Sequence, residues 1–359
     1  MNLRIPGPTP MPPEVLEAIS HQTISHRGGA YEELQRRVIE NLKVFFQTKN
    51  DIYLLTCSGT GGFEFSVSNF FSPGDKILSF TCGEFGKRWA DCARAFHADV
   101  IETKFEIGTA INPDTFKKVL SEHPDAKGIF VTHNETAVGV LNPVGKLAGS
   151  VKLHPNHPLF CVDAVSSLGG VNLEMALGID VLFTGSQKAW MAPAGLCMAS
   201  VSPKAWDFYS SSKNPKYYFD ISSYKKFNEK NQTPATPAIS ALFGLDKSLE
   251  LMLKIGKERV FSHHMEMKNY TREKLKENGF SLFVEDEFAS PTLTSIKLPD
   301  GNDGSAWTRE MKEKYGVVVA GGMGEAKGKI IRIAHMGYAV GKEEMDEAIE
   351  ALKEIASDK

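Results

Sequence analysis

Apolar residues recur along the first half of the chain in two alternating rhythms. Tyr31, Leu34, Val38, Leu42 and Phe45 fall at helical spacing, and the same period returns at Phe63, Val67 and Phe70 and again at Phe85, Trp89, Cys92 and Phe96. Short apolar runs lie between and after them: Ile52–Leu55, Lys76–Phe80, Gly128–Thr132, Leu159–Val162, Val181–Phe183 and Leu196–Val201. These predict buried strands, and their alternation with helices predicts an α/β fold, a mostly parallel sheet with helices on both faces. Five prolines (Pro6, Pro8, Pro10, Pro12, Pro13) exclude a helix at the start and predict an extended arm over 1–14. A long helix carries Ile239, Leu242, Phe243, Leu249 and Leu253, and beyond it the pattern changes. Leu293–Leu298 alternates apolar and polar, Gly316–Ala320 and Lys329–Ala334 read as strands, and Met345, Ile349, Leu352 and Ile355 mark a closing amphipathic helix. A large unit over 15–250 and a smaller C-terminal α+β unit over 251–359 are therefore expected.

Composition narrows the function. With 41 Lys+Arg against 44 Asp+Glu, the 359-residue chain has a net charge of −3 and no basic block, which disfavours nucleic acid or a membrane surface as partner. The five cysteines contain no C-x-x-C pair and sit among apolar or small neighbours, as reduced buried thiols do. The start of the sequence shows no signal-peptide core, no apolar run approaches membrane-spanning length, and Ser357-Asp358-Lys359 is not a peroxisomal signal. A cytoplasmic location is expected. His154/His157 and His263/His264 lack a third ligand at sensible spacing and read as loop or surface, so no metal site is expected. His133 reads as a hydrogen-bonded core residue.

Ligands collect at the carboxyl ends of strands in such sheets. Four positions carry candidate chemistry. Cys57-Ser58-Gly59-Thr60-Gly61-Gly62 lies between a strand and a helix, where free N–H groups and the dipole favour an anion; a ligand-free glycine turn is the alternative. It lacks the Gly-Lys-Ser/Thr of a P-loop, and Glu64 spoils a dinucleotide fingerprint. Asp163 follows a buried apolar run, which is costly without a partner; an N-cap or salt bridge is the alternative. Lys188, in Gly185-Ser186-Gln187-Lys188-Ala189-Trp190, is poorly placed for a solvated charge. Arg332 is a cation inside an apolar strand, suited to a carboxylate clamp or to a cross-strand ion pair. One ligand answers all four: pyridoxal 5′-phosphate, with its phosphate on the Ser58 turn, its ring nitrogen on Asp163 and a Schiff base to Lys188.

With these residues in place the sequence resembles the class V aminotransferases of fold type I, in the serine–pyruvate/alanine–glyoxylate branch. The resemblance runs from Pro6-Gly7-Pro8-Thr9-Pro10 through Ser25-His26-Arg27, Ser58-Gly59-Thr60-Gly61 and Gly83-x-Phe85-Gly86-x-Arg88-Trp89. It continues through His133-x-Glu135-Thr136, Val162-Asp163-Ala164-Val165-Ser166-Ser167, Gly185-Ser186-Gln187-Lys188, Thr233-Pro234-x-Thr236-Pro237 and Arg332-Ile333. It implies a seven-stranded-type sheet and a homodimer with active sites at the subunit interface. It also implies that Lys188 carries the cofactor as an aldimine and shuttles the proton, and that Asp163 partners the ring nitrogen. By the same resemblance Ser58, Gly59, Thr60 and Gln187 contact the cofactor around the phosphate, Phe85 stacks on the ring, and Thr136 and Val165 line the site. Thr236 and Thr233 reach the phosphate from the partner subunit, and Arg332 grips the substrate α-carboxylate. For Phe85, a place as the first core residue of its helix fits the spacing equally well.

The expected reaction moves an amino group from serine or alanine to glyoxylate or pyruvate; aspartate- or ureidoglycine-type specificity is the alternative. A cysteine desulfurase would carry histidine at the Phe85 position and a late mobile nucleophilic cysteine, whereas the last cysteine here is Cys197, inside a strand. A non-catalytic hydrogenase-associated subunit is the rival of another class; the sequence has no dedicated cysteine motif for nickel or an iron–sulfur cluster, and both Asp163 and Lys188 are intact.

Overall fold

The computed structural model describes residues 1–299 and 301–357; Asp358 and Lys359, at the end of the expected small unit, and Asp300 within it lie outside the described residues. Seven strands form the main sheet: β1 (Ile52–Leu55), β2 (Lys76–Thr81), β3 (Asp99–Lys104), β4 (Gly128–Thr132), β5 (Leu159–Asp163), β6 (Val181–Gly185) and β7 (Cys197–Val201). Their order is β1-β7-β6-β5-β4-β2-β3. β7 is antiparallel to both its neighbours and the other pairs are parallel, so six strands point the same way.

The apolar runs are continuous because both faces of the sheet are covered. On β5, Phe160 and Val162 enter one hydrophobic cluster and Leu159 and Cys161 the cluster on the opposite face. The helix Gly29–Phe46 buries all five of its predicted apolar positions. β3 departs from this pattern and carries no apolar run: it is the sheet edge, and Asp99 and Lys104 face water.

A second sheet of three antiparallel strands follows: β8 (Leu293–Lys297), β9 (Ala320–Gly321) and β10 (Ile330–Ala334), in the order β8-β10-β9. Its own core draws on the helices Lys257–Glu277, Gly304–Tyr315 and Lys342–Ser357 through Met267, Trp307, Met311, Met345 and Leu352. The run Gly316–Ala320, expected as one strand, is divided. Val317–Val318 pairs with Asn2–Leu3, while Ala320–Gly321 joins β10. The N-terminal arm is also shorter than expected. Pro13 opens the helix Pro13–Ile19, a position where proline's fixed φ and missing N–H do no harm.

Residues 2–9 tie the two sheets together. The Ala334 N–H donates to the Arg4 carbonyl at 2.8 Å, the Thr9 N–H to the Gln187 carbonyl at 3.0 Å, and the Thr9 hydroxyl to the Lys188 carbonyl at 2.8 Å.

Candidate active site

Because β1, β2, β4, β5 and β6 run in one direction, the polar residues that follow them gather at one edge of the sheet. Ser58 follows β1, Phe85 follows β2, and Asn134 and Thr136 follow β4. Asp163 ends β5 ahead of Val165 and Ser166, and Gln187 and Lys188 follow β6. With Gly59, Thr60, Phe63 and Arg88 they enclose a cavity of about 180 Å³.

Ser58 caps the helix Gly59–Phe70 without using its side chain on that helix. The first-turn N–H groups of an α-helix have no intrahelical acceptor, so this terminus presents donors and a positive dipole end to the cavity. The glycines also serve packing. A Cβ on Gly59 would lie 2.6 Å from a Val165 methyl, and one on Gly62 would lie 2.5 Å from the Phe183 ring. The helix start therefore sits directly on Val165 and on β6.

Asp163 is 3% exposed. Its Oδ1 accepts the Val165 N–H at 2.9 Å, and its Oδ2 accepts the Thr132 hydroxyl at 3.3 Å. Burial raises its pKa to about 6, against these hydrogen bonds and the charge of Lys188. It is neither a helix cap nor half of an ion pair within 4 Å among the described residues.

Lys188 is brought back to the cavity by the turn after β6, which the buried Trp190 anchors with an indole N–H to the Thr184 hydroxyl at 3.0 Å. Burial lowers its pKa to about 8, assisted by the positive charge of Arg332 and opposed by Asp163. Its ammonium donates to the Pro6 carbonyl.

Phe85 faces the cavity with the Arg88 guanidinium 5.1 Å over its ring, and it also packs against a small apolar cluster. It is half-buried, between the cavity and that cluster. Arg332, on β10, is 6% exposed and stands behind Thr136 without lining the cavity. Its Nη1 donates to the Thr136 carbonyl at 2.6 Å and its Nε to the Gly321 carbonyl at 2.7 Å. No described carboxylate lies within ion-pair distance, so the cross-strand ion pair is not formed. Burial lowers its pKa to about 10, with Glu135 acting in the opposite sense.

Thr233 and Thr236 lie away from the cavity. Thr233 is buried and donates to the Ala235 carbonyl, while Thr236 is exposed, 3.5 Å from His26 Nε2. Arg27 fastens their loop through the Thr233 and Pro234 carbonyls at 2.7 and 3.1 Å. That accounts for Ser25-His26-Arg27 as a brace for this loop.

Asn134, Ser166, Arg88 and Phe63 line the cavity without having been singled out from the sequence. Asn134 and Arg88 occupied positions inside quoted motifs, which was the available signal. The histidines need one correction. His264 is fully buried, with Nδ1 2.8 Å from the Val260 carbonyl and Nε2 accepting the Gly337 N–H, and His154 is buried beneath its loop. His133 pairs with the Ser167 hydroxyl at 2.9 Å, outside the cavity lining.

Comparison with known proteins places the chain. The family model for class V aminotransferases matches residues 1–346. The chain belongs to the class V aminotransferases. A protein of Anabaena cylindrica named soluble hydrogenase 42 kDa subunit is 40% identical, over 94% of this chain and 88% of that one. Serine–glyoxylate aminotransferase of Arabidopsis thaliana is 33% identical, over 94% of this chain and 85% of that one. The crystal structure of alanine–glyoxylate aminotransferase from Nostoc sp. superposes with a TM-score of 0.95 at 29% identity, covering 99% of this chain and 95% of that one.

As a class V aminotransferase of fold type I, the chain is an enzyme whose cofactor is pyridoxal 5′-phosphate. Its cavity fits that group. A helix terminus supplies donors for a phosphate, a buried carboxylate suits a protonated ring nitrogen, and an amine of lowered pKa suits a carbonyl. The Gln187 and Asn134 side-chain oxygens lie buried in the lining without a partner among the described residues, the state expected of groups that a ligand satisfies.

Proposed function

We propose that this class V aminotransferase moves the amino group of a small amino acid, serine or alanine, to a small 2-oxo acid, glyoxylate or pyruvate. The observation that carries the reading is a pairing across the cavity. Asp163 and Lys188 stand at neighbouring strand ends beside a free helix terminus, and a buried arginine without a carboxylate partner lies behind Thr136. The names of the Arabidopsis and Nostoc relatives support the choice of substrates.

In this reading Ser58, Gly59, Thr60 and Gln187 hold the phosphate and Phe85 covers the ring, while Thr136 and Val165 line its edges. Asp163 keeps the ring nitrogen protonated. Pyridoxal 5′-phosphate, when bound, supplies a sink for the electron pair left at the substrate Cα. Lys188, with its pKa brought near neutrality, has an amine free to take the Cα proton and to return it one atom away. Arg332 receives the substrate carboxylate on its guanidinium and so sets which Cα bond points at the ring. Thr233 and Thr236 complete the phosphate site of a partner subunit, which makes the working unit a homodimer. The exposure of Thr236 and the place of both threonines outside their own cavity support this. We place the enzyme in the cytoplasm; no helix among the described residues is long and apolar enough to cross a membrane.

The test is the visible spectrum of the purified protein with serine, alanine or aspartate added, with Lys188→Ala as control. A yellow band absent from the variant and bleached by serine or alanine supports the reading. Bleaching by aspartate alone reassigns the donor. A protein that stays colourless with added cofactor removes the reaction and favours a non-catalytic role of the kind that the Anabaena name suggests. Elution at the monomer size under turnover conditions removes the shared site.

A further inference from the structure

One buried acid at the site has no part in that reaction. Glu135 is 0% exposed, against 3% for Asp163, and its two oxygens take three backbone N–H groups. Oε2 accepts from Phe85 at 3.0 Å and from Gly86 at 3.1 Å, and Oε1 accepts from Ala137 at 3.0 Å. Phe85 and Gly86 belong to the first turn of the helix Glu84–Ala95, whose own cap, Gly83, has no side chain. Glu135 therefore caps that helix from a distant strand. Its other oxygen closes the turn around Thr136, and the Thr136 carbonyl is the one that receives Arg332.

The surroundings are built for this carboxylate. A Cβ on Gly83 would lie 2.5 Å from Glu135 Cγ and 2.6 Å from its Cδ, so glycine makes room for it. The charged or titratable groups that feel it are Asp163, Arg332 and the buried Cys82 thiol.

We infer that Glu135 is a positioning residue: one oxygen fixes the Phe85 wall, the other fixes the Thr136 turn, and through that turn it fixes the Arg332 guanidinium. The aromatic cover and the carboxylate grip then move as one body. This rests on the amino-transfer reading for its purpose, though the coupling itself is geometric. Glutamine at this position keeps the volume but offers one acceptor oxygen and one NH2, so one of the two sides must face a donor with a donor.

The experiment uses the full-length protein loaded with pyridoxal 5′-phosphate, with propionate as a non-reacting carboxylate probe. Glu135→Gln is compared with wild type for melting temperature, propionate affinity by calorimetry, visible circular dichroism, and KM and kcat for glyoxylate. The expected result is propionate affinity and KM weakened about tenfold or more, with kcat changed far less and the dichroism altered. A role in stability alone would lower the melting temperature and leave propionate affinity unchanged, which overturns the inference. Should Glu135→Gln fail to fold, Gly83→Ala gives the same reading. Its backbone is extended, and its methyl pushes the carboxylate off its donors without removing the charge. Wild-type propionate affinity in that variant overturns the inference. If wild type binds propionate in a Glu135-dependent way but transfers no amino group, the coupling stands and the reaction fails. If wild type is active and the variants match it, the coupling alone fails.

Discussion

The floor of the cavity and the outer wall that backs its lining are made in different ways. Asp163 ends one strand of the main sheet and Lys188, Ser58 and Phe85 follow others, and the shared direction of those strands brings them to one edge. Arg332 stands behind Thr136 on a separate antiparallel sheet, and Pro6, on the N-terminal arm, accepts from Lys188. The floor is set by local rules, whereas the wall depends on how distant pieces dock.

Perturbing each side sharpens the contrast. Lys188→Ala strikes the floor and should lower the amino-transfer rate by about 10³-fold, with the fold kept, as read by single-turnover absorbance and circular dichroism. Arg332→Ala strikes the wall and should raise KM for both substrates about 100-fold, about 2.7 kcal/mol, with a smaller change in kcat. Arg332→Lys should recover only part of this, because a point charge cannot replace the fork. Equal losses in kcat and KM for the two sites would break the distinction.

Gly62→Ala tests the rigidity of the floor. The new methyl meets Phe183, which packs edge-on to Phe63 and Trp89, and should destabilise the protein by about 1–3 kcal/mol in denaturant melts. An unchanged melt would mean that the helix start can lift off β6.

The smallest effect is in pH. Burial lowers the pKa values of His133 and His264 to about 4 and of His335 to about 3, from an ordinary value of 6.5. Their stabilising contribution is present above 6.5 and is lost as pH falls toward those values. Glu135 and Asp163 act oppositely: their raised values, about 7 and about 6, contribute stability below their ordinary values of 4.5 and 3.8, and that is lost as pH rises through the folded values. Three histidines outweigh two carboxylates, so stability should fall between pH 6 and 5 by about 1.4 kcal/mol per unit for each uncompensated group. Asp163→Asn removes one opposing group and should steepen that fall. A flat profile would contradict the burial of the histidines.

The sequence showed the floor because apolar runs buried on both faces announce their strands, and the polar residues after them are the site. It hid β3, whose edge position leaves Asp99 and Lys104 in water, and the helix Lys257–Glu277, whose buried residues Val260, His264, Met267 and Leu275 are thinly spread among charges. The division of Gly316–Ala320 between two sheets was illegible for another reason: a strand's partner is chosen elsewhere in the chain. Glu135 was visible only as a letter within a motif. Which amides converge on a carboxylate is a three-dimensional fact, and its partners at Phe85 and Gly86 lie about fifty residues away. For the glycines after Ser58 the structure adds a packing reason that the sequence did not show, the close approach of Val165 and Phe183.

The segment that crosses from Arg4 to Thr9 has a consequence for how the molecule is made. Every anchor it uses belongs to residues between Gln187 and Ala334. On the ribosome residues 4–9 emerge long before Gln187, Val318 and Ala334 do, so their seats do not yet exist. Thr9 and Pro6 find their partners once the Lys188 turn exists, and Arg4 finds its own only when Val318 and Ala334 do. Residues 4–9 thus take their places only after the parts of both sheets that hold them have been made.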